Sequence, residues 1–326
     1  MRFETSRRLL LLATALFAGL AAQAATPEYP ARPVTVIVGF SAGGPTDVVA
    51  RMLAEQLTAR FGQTFLIDNR AGANGGVAAQ QTKAAAPDGY TLMIGSSGTL
   101  SITPGLRIAM PYDVARDFTP IALVASYPYF LVVPAQSPAT DVQDLIRRAR
   151  AATAPMSFAS AGTGSVNHLA GEWFKSAAGF EATHVPYKGD SAAMTDLMAG
   201  RVDFAFISGA AASSQVRAGK LRALAVASEA PGKGGPGVPT MIEAGVPGFS
   251  AEPWNGLMGP AGMAPDVVAR LNGAVNEIML RPDMKLRLLA LEQYPMTGTP
   301  AAFAGHIATQ TKRWGDIIRI ARIPKE

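Results

Sequence analysis

Cysteine is absent from this 326-residue chain. That excludes disulfides, thiolate metal centres and a lipid-modified cysteine anchor. Histidine is scarce, with three copies at His168, His184 and His306, and no His/Asp/Glu cluster has metal-ligand spacing, so no metal is expected. Charged residues make up only 16% and contain no basic run, which argues against a nucleic-acid partner. No dinucleotide fingerprint exists either. The Gly162-x-Gly164 piece lacks a third glycine and a suitably spaced acid, so no nucleotide cofactor is expected.

Hydrophobic residues, at 48%, are ample for sizeable cores, and glycine and proline fall between apolar runs as they do in loops. The first residues read as an export signal. Arg2, Arg7 and Arg8 precede an apolar run from Leu9 to Ala22, and Ala22-Gln23-Ala24 offers a small-x-small cleavage site. The run is shorter than a spanning helix needs, and no second long run follows, so a soluble periplasmic protein cut near Ala24 is expected. Ser6-Arg7-Arg8-Leu9-Leu10 also resembles a twin-arginine signal, which leaves the export route open. Removing residues 1–24, with three arginines and one glutamate, takes the formal charge from +5 to +3, a bias compatible with small anions.

Beyond the signal, strand-like and helix-like segments alternate. Strands are expected at Val34–Val38, Thr64–Ile67, Thr91–Ile94, in two pieces within Ile121–Val133, and at Met156–Ala159, Thr183–Val185, Phe204–Ile207 and Ala223–Val226. Helical spacing marks Thr46–Arg60, Asp141–Ala151, Val166–Ala178, Ser191–Ala199, Ser213–Ala218, Pro265–Leu280, Met284–Leu291 and Pro300–Ile320. Such alternation implies right-handed crossovers and mainly parallel sheets flanked by helices, an α/β class. The chain divides into a signal at 1–24, a discontinuous first lobe at 25–126 plus 228–326, and a second lobe at 127–227, with a ligand cleft between the lobes.

Three loops between a strand and a helix carry small hydroxyl residues and glycine. The first, Phe40–Asp47, contains Phe40, Ser41, Gly43, Gly44, Thr46 and Asp47. Its glycines permit close backbone approach, and the helix start behind them offers unpaired N–H groups and a partial positive charge. Thr46 or Asp47 is also a natural helix cap. The second loop holds Ser96, Ser97 and Thr99, and the third runs Ser160, Ala161, Gly162, Thr163, Gly164, Ser165, with His168 one turn into the next helix. Amides and hydroxyls from both lobes suit a carboxylate gripped as the cleft closes. Asp203 reads as a loop-holding acid. An enzymatic alternative exists, because Gly39-Phe40-Ser41-Ala42-Gly43 matches the nucleophile elbow of serine hydrolases, with Ser41 as nucleophile. Too little chain precedes that strand to build an oxyanion hole, and only His306 lies late enough to be a partner.

The mature chain closely resembles the substrate-binding receptors of tripartite tricarboxylate transporters, the Bug receptors. The resemblance rests on ordered segments: YPARPVTVIVGFSAGGPTD, NRAGANGG, APDGYTL, PYDVARDFTPIALVA, GTGSVNHLAGE, VPYKGDSAAMTDLMAGRVDFAF and WNGLMGPAGMAPDVVARLN. It implies a two-lobed flytrap that binds rather than catalyses, and no cofactor is expected. It implies a small carboxylate ligand in the cleft, delivered by a monomeric receptor to two integral membrane subunits. A sensory module reporting to a membrane kinase would carry the same features. Many relatives have proline at the position of Ala42 and asparagine at that of Thr103, so the resemblance does not carry over a particular ligand.

Overall fold

The computed structural model describes residues 28–187, 189–235 and 237–325. The expected export signal lies outside the described residues.

A six-stranded and a five-stranded sheet form the frame. The first has the order β11-β4-β10-β3-β1-β2 and the second β7-β6-β8-β5-β9. The first sheet starts with β1 (Val34–Val38), β2 (Phe65–Asn69), β3 (Thr91–Ser96) and β4 (Phe118–Ser126), interleaved with α1 (Pro45–Phe61), α2 (Gly76–Lys83) and the short α3 (Thr103–Leu106). The second comprises β5 (Tyr129–Pro134), β6 (Met156–Ser160), β7 (Ala182–Pro186), β8 (Phe204–Ser208) and β9 (Leu221–Val226). Its helices are α4 (Val142–Ala151), α5 (Val166–Ala178), α6 (Asp190–Met198) and α7 (Gly209–Arg217). The chain then returns to the first sheet through β10 (Trp254–Pro260), α8 (Pro265–Leu280), α9 (Pro282–Leu289) and β11 (Tyr294–Pro295), and ends in α10 (Pro300–Ile320).

The local chemistry explains these elements. β1 is an unbroken β-branched run, nearly all buried, as a strand covered on both faces should be. Gly62, in the left-handed conformation, closes α1 by donating to Thr58 O. Asp141 caps α4 by accepting from Asp144 N at 2.7 Å, while Val142, Leu145, Ile146 and Ala149 face inward.

Both sheets are mixed rather than uniformly parallel. β1 pairs in parallel with β2 and β3, and β6 with β7 and β8. β10 runs antiparallel to β3 and β4, and β5 antiparallel to β8 and β9. The reason is connectivity. β4 ends at Ser126 and β5 begins at Tyr129 in the other sheet, while β10 re-enters the first sheet from the opposite end. Two segments that follow β9 also pack on the second sheet. Met241, Val246, Phe249 and Ala251 pack with Phe206 and Leu224 of the second sheet, because Met241 N and Ala251 N bond Val226 O and Ala227 O. α10 serves both bodies: Phe303 and Ile307 pack on Trp254 and Leu123, whereas Trp314, Ile317 and Ile318 join the core around Phe158 and Phe174. α7 also begins at Gly209, four residues before its expected start at Ser213.

Candidate functional site between the two sheets

The ends of β1, β3 and β10 bring three polar segments together in the first sheet. α1 begins at Gly44, whose side-chain-free cap leaves the helix start without a capping side chain, and Pro45 occupies its first turn. Thr46 and Asp47 are both buried, yet neither caps the helix. Asp47 instead organises the preceding turn. Its carboxylate accepts from Gly43 N at 2.8 Å, from Arg51 Nε at 2.9 Å and from Asn69 Nδ2 at 2.8 Å. Asn69 also donates to Phe40 O at 3.0 Å. Burial alone would raise the Asp47 pKa, but the Arg51, Gly43 and Asn69 donors outweigh it and hold the carboxyl below its usual range.

The Thr46 hydroxyl donates to Asn255 Oδ1 at 3.0 Å, which leaves the fully buried Asn255 Nδ2 without a partner among the described residues. Ser97 Oγ, 1% exposed as a residue, is likewise unpartnered. Unpaired polar atoms at this depth are costly unless something else meets them. Ser96 and Thr99 are occupied: their hydroxyls lie 3.1 Å apart, and Thr99 Oγ1 donates to Asn74 O at 2.9 Å.

The Ser160–Ser165 turn of the second sheet is built largely by its own hydrogen bonds. Ala161 N donates to Asn167 Oδ1 at 3.2 Å, Gly162 N to Ser160 Oγ at 3.1 Å, and Gly164 N to His168 Nδ1 at 3.2 Å. Ser165 caps α5 by accepting from His168 N, and donates to Gly162 O. Gly162 and Gly164 have φ of +131° and +78°, which glycine alone adopts readily. Most amides expected to face a ligand are therefore spent inside the turn. Thr163 stands exposed at its tip. His168 packs face to face with His184, ring centroids 3.9 Å apart, and both rings lie over Phe158. Burial chiefly, then the neighbouring His184 ring and Lys175, lowers the His168 pKa to about 3, and burial with Lys175 nearby lowers that of His184 to about 4, so both rings are neutral near pH 7.

Sequence reasoning missed the residues linking the two halves. Asn167 Nδ2 donates to Asp190 Oδ1 at 2.9 Å. Burial raises the Asp190 pKa, against the lowering effect of Ser208 and Asn167. Burial, reinforced by the charge of Asp190, pushes up the pKa of the Tyr127 phenol in the crossing between the sheets, and Thr46 opposes the shift. Thr46 with Asn255 on the first sheet, and Asn167 with Asp190 on the second, are thus two polar pairs flanking the buried Tyr127 phenol. Asp190 was legible only as the residue beside a glycine at a helix start. Asn255 sits inside a strand, where nothing local marks it. The seam also closes at its edge, where Asn74 Nδ2 reaches Gly164 O at 3.5 Å.

The hydrolase geometry is missing. Ser41 is exposed, and no histidine bonds it. His168 bonds Gly164, and His306 Nε2 is buried beside Trp254 without a partner among the described residues. His184 does meet a serine, Ser160 Oγ at 2.6 Å. That serine is fully buried, and a ring with its pKa near 4 is a poor proton acceptor. Asp203 holds a loop, accepting from Ser157 N at 2.7 Å and Ser157 Oγ at 3.0 Å. Among the described residues no cluster of His, Asp and Glu has the arrangement of a metal site.

The sequence model of the tripartite tricarboxylate transporter family receptors matches residues 49–322. The chain belongs to that family. Protein BugT of Bordetella pertussis is 36% identical over 303 residues, covering 93% of each chain. Among solved structures, Rpa4515 of R. palustris with adipate is 34% identical with a TM-score of 0.85, covering 92% of this chain and 100% of that one. MatC from Rhodopseudomonas palustris with bound malate is 33% identical with a TM-score of 0.78, covering 89% of this receptor and 100% of that chain. The α/β two-lobed solute-receptor fold is common to these proteins.

Proposed function

We propose that this receptor binds a small carboxylate in the cleft between its two sheets and delivers it to the integral subunits of a tripartite tricarboxylate-type transporter. In this reading the protein is exported to the periplasm, works as a monomer and is not an enzyme. The two sheets are its lobes, and the crossings at Tyr127-Pro128 and after β9 are its hinge.

One observation carries the reading. The uncapped start of α1 lies with Ser97 Oγ and Asn255 Nδ2, two buried polar groups lacking partners among the described residues. A helix N-terminus favours negative charge, and a carboxylate oxygen would accept from these groups. The adipate and malate bound by the two solved relatives support a dicarboxylate in particular. Ser97 and the Gly43-Gly44 turn then hold one end of the ligand, and the tip of the Ser160–Ser165 turn, with Thr163, covers the other. Two or three charge-assisted hydrogen bonds, each about 1.5–3 kcal/mol, are enough to shift the lobes toward closure.

The test is a thermal-shift and calorimetric screen of the purified protein against C4–C8 dicarboxylates. A ligand at 100 times its Kd adds about 2.7 kcal/mol of stability. Ser97→Ala and Asn255→Leu should weaken the best ligand. No binder in the panel, or affinity untouched in both variants, would remove the proposal. Delivery is tested by ligand uptake in vesicles holding the two membrane subunits, with and without this protein.

A further inference from the structure

A cavity of about 330 Å3 lies between the two bodies but away from the Gly43-Gly44 turn and Ser97, among α3, the first two turns of α5 and the chain that follows α10. It shares Thr163 and Gly164 with the Ser160–Ser165 turn, but no residue of Phe40–Asp47 or Ser96–Thr99 lines it. We propose that this cavity is a second ligand site, specific for an organic anion with an apolar body, such as an aromatic carboxylate.

The charged groups set the sign of the ligand. Arg107 and Arg322 both line the cavity, Arg107 half-buried and Arg322 exposed, and neither is ion-paired with a carboxylate among the described residues. Glu172 also lines it, but Lys175 neutralises this acid at 2.9 Å. The cavity therefore carries two uncompensated guanidinium groups, which suit a carboxylate bidentately. A further donor comes from His168. Its Nδ1 accepts from Gly164 N, so the neutral ring carries its proton on Nε2.

The backbone supports a purposeful placement of Arg322. Ile323 N donates to Ile318 O at 3.0 Å, which makes Arg322 the left-handed residue closing α10, with φ +52°. Glycine is the usual residue there, because a side chain is strained at that φ. The same turn folds Ile323 and Pro324 back to make, with Leu106, the apolar wall of the cavity. Cationic groups beside an apolar wall in one cavity call for an amphipathic anion.

Walls from both sheets give the site a consequence. A ligand there contacts the first body through Arg107 and the second through His168, so it favours the closed seam at Asn74–Gly164. By linkage, an anion in the cavity and a ligand in the cleft raise each other's affinity.

Benzoate is a suitable probe. Its binding is measured by calorimetry and by saturation-transfer NMR on the wild type, an Arg107→Ala/Arg322→Ala double variant, Leu106→Trp, and Gly44→Val, which obstructs the cleft. The expected result is binding by the wild type, at least tenfold weaker in the double variant and in Leu106→Trp, and within twofold of wild type in Gly44→Val. Unfolding midpoints confirm that each variant is folded, and Arg107→Lys/Arg322→Lys, which keeps the charge, restores part of the affinity. Absence of benzoate binding by the wild type, an unaffected double variant, or equal loss in Gly44→Val would overturn the proposal. The dicarboxylate screen of the cleft is a separate experiment, so either site can fail alone.

Discussion

The carboxylate of Asp47 accepts a hydrogen bond from the backbone N–H of Gly43 at 2.8 Å, four residues back along the chain. That bond turns a residue with the look of a helix cap into the anchor of the turn before the helix. It leaves the helix start itself open, and it fixes the height at which Gly43 and Gly44 stand over the cleft.

Replacing Asp47 by alanine should therefore cost stability as well as binding. Three donors lose a charged acceptor in a site where Asp47 is 1% exposed. A loss of about 2–4 kcal/mol is expected from urea unfolding, given about 1.5–3 kcal/mol per charge-assisted bond and partial rescue by water. Asp47→Asn should lose less, because one acceptor oxygen remains.

Gly44→Val should separate binding from folding. A Cβ at Gly44 meets only Ser41 O, at 3.5 Å, and φ there is −76°, which any residue adopts. The unfolding midpoint should stay within a few degrees of wild type while cleft-ligand affinity falls at least tenfold by calorimetry. Retained affinity would move the ligand away from this turn.

Acidification should expose the histidine pair. The native pKa values of about 3 for His168 and about 4 for His184 lie below the unfolded value of about 6.5. Between these limits the unfolded chain binds protons that the native state refuses. Stability is therefore complete above pH 6.5 and declines as pH falls toward 4, by at most about 1.4 kcal/mol per pH unit for each ring. A His168→Gln/His184→Gln variant should lose this slope, leaving that of His306, also depressed by burial, and of the carboxylates, and the two stability–pH curves should converge on the acid side.

Gly256→Ala tests the docking of α10. A Cβ at Gly256 falls 2.2 Å from the Phe303 ring, and Phe303 is fully buried. Overpacking of this kind typically costs about 1–3 kcal/mol. Gly256→Ala/Phe303→Leu should recover part of that loss, a coupling that a double-mutant cycle measures.

The sequence by itself determined the alternation of strands and helices, because hydrophobic period and turn glycines act within a few residues. Val166–Ala178 and Pro300–Ile320 have the expected bounds. It also located the polar loops at strand ends. What each loop residue does was decided only by tertiary structure. Thr46 lies 209 positions from the Asn255 it bonds, and Arg107 shares a cavity wall with Arg322. Asp47 and Ser97 look equally polar in sequence, but one is saturated by three donors and the other is left without a partner among the described residues. Local patterns select the backbone conformation. Whether a buried polar atom is satisfied depends on groups that only folding brings beside it.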